Sequence, residues 1–184
     1  NWESTDILGR ARHFSPINES VNYTSGANHI VKPHCIIISG PPAAGKSTSA
    51  RPLANVRGYS LLCMDAVKER LADSIGSGAI EYADELGDAA VKEVIASAQE
   101  MLTRGQSVIV EGFFQSDRYS GDFAQLTSLA DSVLVHLRAD DLVLKDRYEQ
   151  RALREARHWI HRDRENLPYL QPELPAYMAK LLNL

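Results

Sequence analysis

Several features that would narrow the function at once are scarce or absent in this 184-residue sequence. It has only two cysteines, Cys35 and Cys63, so no disulfide framework is expected and a reducing cytoplasm is favoured. No apolar run is long enough to span a bilayer and no charged-then-apolar signal peptide opens the chain, which argues against a membrane partner. The net charge of −4 argues against a broad basic surface for duplex nucleic acid. These absences favour small-molecule partners.

Metal-ligand spacing and repeats are missing as well. Four of the histidines are scattered along the chain and do not form a metal-binding pattern: His13, His29, His34 and His136. Internal repeats and low-complexity tracts are also lacking, so the length fits one domain with a substantial core. The chain begins with Asn1 and not with methionine, which predicts a processed or trimmed start.

Strands and helices alternate after an irregular start. Residues 1–33 are rich in Asn, Ser, Thr, His and Gly with weak periodicity, and we predict an N-terminal arm there. Over residues 34–184 the alternation predicts one α/β domain, with a parallel sheet covered on both faces. The predicted strands are Cys35–Ser39, Tyr59–Cys63, Ser107–Val110 and Ser132–Leu137. The predicted helices are Lys46–Val56, Ala66–Ser74, Tyr82–Arg104 and Phe123–Leu129, followed by a charged helical region over 141–161. The long helix carries an apolar stripe that we expect in the core, formed by Tyr82, Leu86, Val91, Val94, Ile95 and Met101.

The first predicted strand runs into the pattern G-x-x-x-x-G-K-S-T. Gly40 and Gly45 allow a tight turn in which successive N–H groups point inward at an anion. Lys46 adds a cation for the β- and γ-phosphates of a nucleotide, and the Ser47 hydroxyl is placed to ligate Mg²⁺. We therefore predict that ATP and Mg²⁺ bind at this P-loop; the alternative is a glycine-rich turn with a solvated lysine. The predicted nucleotide-binding residues here are Gly40, Ala43, Ala44, Gly45, Lys46, Ser47 and Thr48.

Asp65 follows the second predicted strand. Ligands of open α/β sheets bind outside the carboxyl ends of the strands, so this carboxylate is expected in the same crevice as the P-loop. It could accept the proton of an attacking hydroxyl. The alternative is a helix N-cap, because Asp is favoured there and Ala66 opens a predicted helix.

With Val108-Ile109-Val110-Glu111-Gly112-Phe113-Phe114, these motifs resemble the small P-loop kinases grouped as AAA-type or zeta-toxin-like ATPases. That group is similar to chloramphenicol phosphotransferase, gluconate kinase and the kinase domain of phage polynucleotide kinase. The resemblance covers roughly residues 34–165 and implies a three-layer P-loop fold. It also implies that the aspartate matching Asp65 is the general base for a hydroxyl acceptor.

Glu111 stands at the tip of the third predicted strand. In such kinases a polar or acidic group at this place often faces the acceptor or the water shell of the metal, and the resemblance implies this role for Glu111. A solvated glutamate at a strand end is the alternative. Asp117 and Arg118 follow in a predicted loop, where either acceptor contact or ordinary turn chemistry explains them.

Seven of the fourteen arginines lie between positions 138 and 164. On a helix, four basic side chains share one face because they are spaced by four, three and four positions: Arg147, Arg151, Arg154 and His158. Guanidinium groups on a mobile segment can neutralise the charge that phosphoryl transfer spreads over oxygens, so we predict a lid over about 139–165. Arg147 is assigned to the nucleotide, and the predicted catalytic residues are Asp65, Lys46, Glu111, Arg151, Arg154 and Arg157. The alternative is a solvated helix with salt bridges to Glu149 and Glu155.

The end of the lid and the end of the chain carry two further signals. Residues 157–163 resemble an R-H-P-G-H-x-D stretch of some of these kinases, with Trp159-Ile160 in place of Pro-Gly. P-loop kinases usually add a fifth strand after the lid, but here prolines lead into Ala176–Leu182, which predicts a short amphipathic helix. If the gene continues past Leu184, we expect that strand within about twenty residues.

The sequence as a whole predicts an ATP-dependent kinase that transfers the γ-phosphoryl group to a hydroxyl of a small molecule. No N-K-x-D follows a strand, so GTP specificity has no support. One alternative is a 5′-hydroxyl polynucleotide kinase, which needs a basic groove and stacking aromatics for single strands. The other is a nucleotide-binding regulatory module without turnover.

Overall fold

Four parallel strands form the centre of the fold in the computed structural model, which describes residues 32–154 and 157–167. Each strand agrees with its predicted position to within one residue. Their order in the sheet is β2-β3-β1-β4, so the first strand lies between the third and the fourth. The strands are β1 (His34–Ser39), β2 (Ser60–Cys63), β3 (Val108–Glu111) and β4 (Asp131–His136). Residues 1–31 of the predicted arm, and all of the predicted C-terminal helix, lie outside the described residues.

Helices cover both faces of this sheet, as predicted. They are α1 (Lys46–Arg57), α2 (Met64–Ile75), α3 (Ala83–Thr103), α4 (Ser116–Leu129) and α5 (Asp141–Arg154), with 3₁₀ turns at Ser77–Tyr82 and Trp159–His161. On one face of β1, Cys35 and Ile37 pack in a cluster with residues of α3 and α4. On the other face, Ile38 packs in a cluster with Ala50 and Ala54 of α1. None of the helices in the described residues is long and apolar enough to cross a membrane.

Three local predictions were wrong. The charged helical region does not reach His161: α5 is described as far as Arg154, Arg157 and His158 are not helical, and a 3₁₀ turn follows His158, whose side chain accepts a hydrogen bond from the Ile160 N–H. Helix α4 begins at Ser116, so Arg118 lies in a helix and not in a loop. Tyr82 is 54% exposed because the 3₁₀ turn ends on it before α3 starts, which removes it from the core stripe.

Gly112, directly after β3, packs where no side chain fits. A Cβ atom there would lie 2.8 Å from Cζ of Phe114 and 2.9 Å from Cβ of Met64. Gly112→Ala is therefore expected to lower the free energy of unfolding by about 1–3 kcal/mol, as overpacked cores do. Denaturant unfolding of the purified variant measures this loss.

The matched control is Gly121→Ala in α4, where a Cβ atom would meet nothing within 4 Å. There the added methyl favours helix, so stability should hold or rise by up to about 1 kcal/mol. Equal loss in both variants would show that Gly112 is not packed as the structure has it.

The sheet topology brings the candidate residues to one edge. Parallel strands end at the same edge, so the loop after β1, the start of α2 after β2 and Glu111 at the end of β3 all lie there. Leu137, which follows β4, meets the same edge, since its N–H donates to Ser39 O at 2.9 Å. Open α/β sheets bind ligands at this edge.

Candidate active site

The P-loop between β1 and α1 is an open anion cradle. Its φ values are positive at Gly40 (152°), Ala43 (63°) and Gly45 (87°), which turns successive N–H groups inward. At Gly40 a side chain is impossible, because a Cβ atom would lie 2.5 Å from Leu137 O. No side chain caps the N-terminus of α1, so its first N–H groups and the positive end of its dipole are left for a ligand.

Lys46 folds back over this loop. Its Nζ donates to Gly40 O at 3.1 Å and to Pro41 O at 3.0 Å, which holds the ammonium group over the loop. Burial lowers the pKa of Lys46, while the nearby carboxylates of Asp65 and Glu111 act in the opposite direction. This arrangement contradicts the alternative of a solvated lysine.

Ser47 and Glu111 meet beneath the loop. Ser47 Oγ donates to Glu111 Oε1 at 3.2 Å and Oε2 at 3.3 Å. Glu111 is only 2% exposed, so it is not the solvated strand-end glutamate of the alternative. The thiol of Cys63, its register partner on β2, lies against it, and burial followed by the Glu111 charge raises the Cys63 pKa to about 12.

This pair of oxygen donors fits Mg²⁺. A hydroxyl and a carboxylate are hard ligands of the type that Mg²⁺ takes, usually one or two from the protein with phosphates and waters completing the shell. Within the described ranges there is no cluster of three or more His, Cys, Asp or Glu that could hold a metal by itself. Ser47 and Glu111 are residues that could hold such an ion.

Asp65 lies in the first turn of α2 and not at a strand end, because that helix begins two residues earlier than predicted. Cys63 takes the capping position and no side chain caps the helix, so the N-cap alternative is wrong. Oδ2 of Asp65 accepts a hydrogen bond from Nη2 of Arg157 at 2.5 Å. Burial alone would raise the pKa of this carboxyl, but Arg157, His161 and Lys46 outweigh it and hold the pKa below its usual range. Asp65 is therefore ionised at neutral pH.

Arginine side chains from α5 onward lie at this edge of the sheet. Arg151 and Arg157 both donate to Asp163, from Nε at 3.1 Å and from Nη1 at 3.1 and 3.2 Å. The 3₁₀ turn is fastened to α2 by two further pairs, His158 Nε2 to Asp73 Oδ1 at 3.0 Å and His161 Nε2 to Glu69 Oε1 at 2.7 Å. Arg147 is exposed and faces the cavity, whereas His158 is not on the helix that the spacing predicted. The Arg154 side chain lies outside what the structure describes.

A cavity of about 640 Å³ joins these parts. Its lining includes four predicted P-loop residues and four other predicted residues: Ala43, Gly45, Ser47, Thr48, Asp65, Arg147, Arg151 and Arg157. The Ala44 N–H instead closes the loop on Pro41 O at 3.3 Å. Five further residues line the cavity that the sequence did not predict: Arg51, Cys63, Ala66, Glu69 and Gln150, of which Cys63 is only partly buried. Arg51 and Glu69 each follow a predicted site residue by four positions on a helix, a signal that could have found them.

His161 gives the contact between the second 3₁₀ turn and α2 a pH dependence. Burial and Arg157 lower its pKa from the ordinary 6.5, outweighing the opposite effects of Asp65 and Glu69. A histidine with a lowered folded pKa contributes stability that is complete above the unfolded pKa and is lost as pH falls through the folded pKa. The stability advantage of the natural protein over His161→Gln should therefore shrink as pH falls from about 7.5 to 5. Thermal unfolding of both proteins across this range measures it, and an advantage that grows towards acid would contradict it.

Comparison with known proteins shows which family the chain matches and which structures resemble it. A family model described as an AAA domain matches residues 35–168, well over half of the chain. The crystal structure of a candidate kinase from Chloroflexus aurantiacus J-10-fl is similar, with a TM-score of 0.66 and 30% identity over 74% of this chain and 78% of that chain. None of the curated protein sequences matches this chain significantly.

Two more distant structures share the fold. A gluconokinase from Sinorhizobium meliloti 1021 has a TM-score of 0.51 and 20% identity, over 83% of this chain and 77% of that chain. A chain of the Pnkp1/Rnl/Hen1 RNA repair complex has a TM-score of 0.57 and 20% identity, over 82% of this chain but only 49% of that chain. At such identity the likeness concerns the fold alone.

Proposed function

This chain belongs to the AAA-domain family and has the fold of the P-loop kinases, and on that premise we propose that it phosphorylates a hydroxyl group of a small molecule with ATP. The observation that carries the proposal is the convergence of an anion cradle, a candidate metal pair, an ionised carboxylate and lid arginines on one cavity. An acceptor oxygen and a γ-phosphoryl group must meet in such a place.

On the nucleotide side, the P-loop N–H groups and Lys46 would hold the β- and γ-phosphates, with Arg147 at the mouth of the cavity. Ser47 and Glu111 would hold Mg²⁺, which when bound supplies charge that offsets the phosphate oxygens. Burial of Glu111 keeps that carboxylate aimed at the Ser47 hydroxyl.

On the acceptor side, Asp65 would act as the general base. The acceptor oxygen bonds to the γ-phosphorus while the bond from that phosphorus to ADP breaks, and the hydroxyl proton passes to the carboxylate. Within the described part of the chain, Arg157 binds Oδ2 and no hydrogen bond is made to Oδ1. The Asp65 side chain is 44% exposed, and Oδ1 would be the oxygen that accepts the hydroxyl proton.

The arginines of the lid would act on the transferring phosphoryl group. Arg151 and Arg157 line the cavity and can meet the oxygens of the transferring phosphoryl group, where developing charge is best neutralised. We assign the same role to Arg154. Closure of this segment over the cavity would also keep water from competing with the acceptor.

One observation favours a second candidate, a 5′-hydroxyl polynucleotide kinase. Trp159 is 42% exposed beside His158, whose ring lies 5.1 Å from it, and it is flanked by Arg157 and Arg162. Aromatic and basic side chains together are what a single strand needs for stacking and charge. The net charge of −4 still favours the small-molecule acceptor.

The test is ADP release from MgATP in the presence of sugars, nucleosides, antibiotics and oligonucleotides with a free 5′-hydroxyl. The proposal expects one small-molecule class to raise ADP release about tenfold or more over water alone, since a positioned hydroxyl reacts faster than solvent. A response confined to the oligonucleotides would replace it by the second candidate. ATP binding with no response to any class would favour the regulatory module.

A further inference from the structure

Asp163 is a buried carboxylate behind the lid arginines. Its side chain is 9% exposed, and it accepts four hydrogen bonds from three residues. Tyr148 Oη donates to Oδ1 at 3.1 Å, Arg151 Nε donates to Oδ2 at 3.1 Å, and Arg157 Nη1 donates to both oxygens at 3.1 and 3.2 Å. Asp163 is not among the residues that line the 640 Å³ cavity, and both of its carboxylate oxygens already accept hydrogen bonds from its neighbours.

The contacts of Arg157 extend this network to the candidate base. One end of its guanidinium, Nη1, is held by Asp163, and the other, Nη2, reaches Asp65 at 2.5 Å. Because a guanidinium is planar, the bond to Asp163 sets the plane in which Nη2 points at Asp65. Asp163 therefore orients Arg157, which lines the cavity, although Asp163 does not line the cavity itself.

The positive charges around the cavity are a second reason why a carboxylate is useful at position 163. Arg151 and Arg157 line the same cavity close to Lys46, and like charges disfavour one another in a partly buried place. Long arginine side chains also lose rotamer freedom when they are held in one orientation. A buried carboxylate shared by both guanidinium groups offsets the repulsion and fixes the orientation before a ligand arrives.

We propose that Asp163 is a positioning residue, which holds Arg151 and Arg157 in the orientation that meets the transferring phosphoryl group. This rests on the proposed function. The inference separates two roles inside the lid: the arginines contact the phosphoryl group, and Asp163 acts only through them. Its loss should therefore weaken binding of the transition state more than binding of the nucleotide.

The experiment compares the binding of ADP·Mg²⁺ with and without aluminium fluoride, which takes the place of the transferring group. The natural protein should bind ADP at least about 10²-fold more tightly with the fluoride, as transition-state analogues do. Asp163→Asn should lose roughly 10- to 100-fold of that gain, because a small misplacement of positioned groups can cost about 10²-fold. Its affinity for ADP·Mg²⁺ alone should stay within about twofold, because the P-loop is untouched.

The matched control is Glu165→Gln, two positions along the same segment. Glu165 pairs with Arg162 at 2.5 Å and does not line the cavity, so this variant should keep the full gain from the fluoride. If Asp163→Asn does not fold, Tyr148→Phe removes one hydrogen bond to the same carboxylate without changing charge and should lose a smaller part of the gain. A double variant with Arg157→Gln should lose little more than the larger single loss, because the two residues act as a unit.

The outcomes separate this inference from the function on which it rests. A natural protein that shows no gain from the fluoride contradicts the proposed function itself. A normal gain in the natural protein that persists in folded Asp163→Asn overturns the positioning role alone. Equal losses for ADP with and without the fluoride also overturn it, since they would show a general structural role.

Discussion

Replacing Asp65 by Asn is expected to lower kcat by roughly 10²- to 10⁴-fold, the contribution typical of a general base. The amide keeps the shape of the carboxylate but cannot take the proton of the acceptor. ATP affinity should change little, because the P-loop contacts of Lys46 and Ser47 do not involve Asp65. Steady-state kinetics with the acceptor found by the ADP-release panel, together with calorimetry of ATP binding, measure both quantities.

Asp73→Asn is the matched control for this change. Asp73 lies on the same helix, pairs with His158 at 3.0 Å and does not line the cavity, so its loss tests the effect of removing a carboxylate from α2. Near-normal phosphoryl transfer by folded Asp65→Asn would leave the base unidentified, with Glu111 the next candidate. An equal fall in both variants would point to damage of α2 or of its contact with the 3₁₀ turn.

Lys46→Ala is expected to remove most of the thermal stabilisation that MgATP gives. A ligand at one hundred times its Kd stabilises the native state by about 2.7 kcal/mol, which corresponds to roughly 5–10 °C in Tm for a chain of this size. Lys46 is the ammonium held over the loop by Gly40 O and Pro41 O, so its loss should raise the Kd for ATP steeply. Thermal scans with and without MgATP measure the shift.

The variants are compared by the shift in Tm that MgATP causes, and not by Tm itself. Removal of a half-buried lysine also changes the stability of the free protein. Lys145→Ala, on α5 and paired with Glu149 at 3.7 Å outside the cavity, should keep the full shift. A shift in Lys46→Ala equal to that of the natural protein would contradict nucleotide binding at the P-loop.

The sheet and the P-loop could be predicted because local sequence determines them. Apolar runs of four to six residues between turn signals located each strand to within one residue. Gly40 and Gly45 could be assigned from their spacing because few other residues tolerate their φ values, and at Gly40 the Leu137 carbonyl also leaves no room for a Cβ atom.

The side-chain pairs of the candidate site could not be predicted, because they join distant parts of the chain. Arg157 and Asp65 are 92 positions apart, and so are His161 and Glu69, so no local pattern indicates that these pairs meet. Asp163 looks like one more charge in a charged segment until Tyr148, Arg151 and Arg157 are seen around it. The departure from helix at His158 was missed for a related reason, since its side chain accepts a hydrogen bond from the Ile160 N–H, which competes with helical periodicity.

The central claim is that this chain moves a phosphoryl group from ATP to a hydroxyl, and the most direct test follows the acceptor itself. MgATP labelled in its γ-phosphate is incubated with the protein and the best acceptor of the panel, and the acceptor is isolated and its mass determined. The account predicts that the acceptor gains one labelled phosphoryl group for each ADP formed, and that Lys46→Ala and Asp65→Asn suppress this gain. Label recovered only as inorganic phosphate, or retained in ATP, would contradict it.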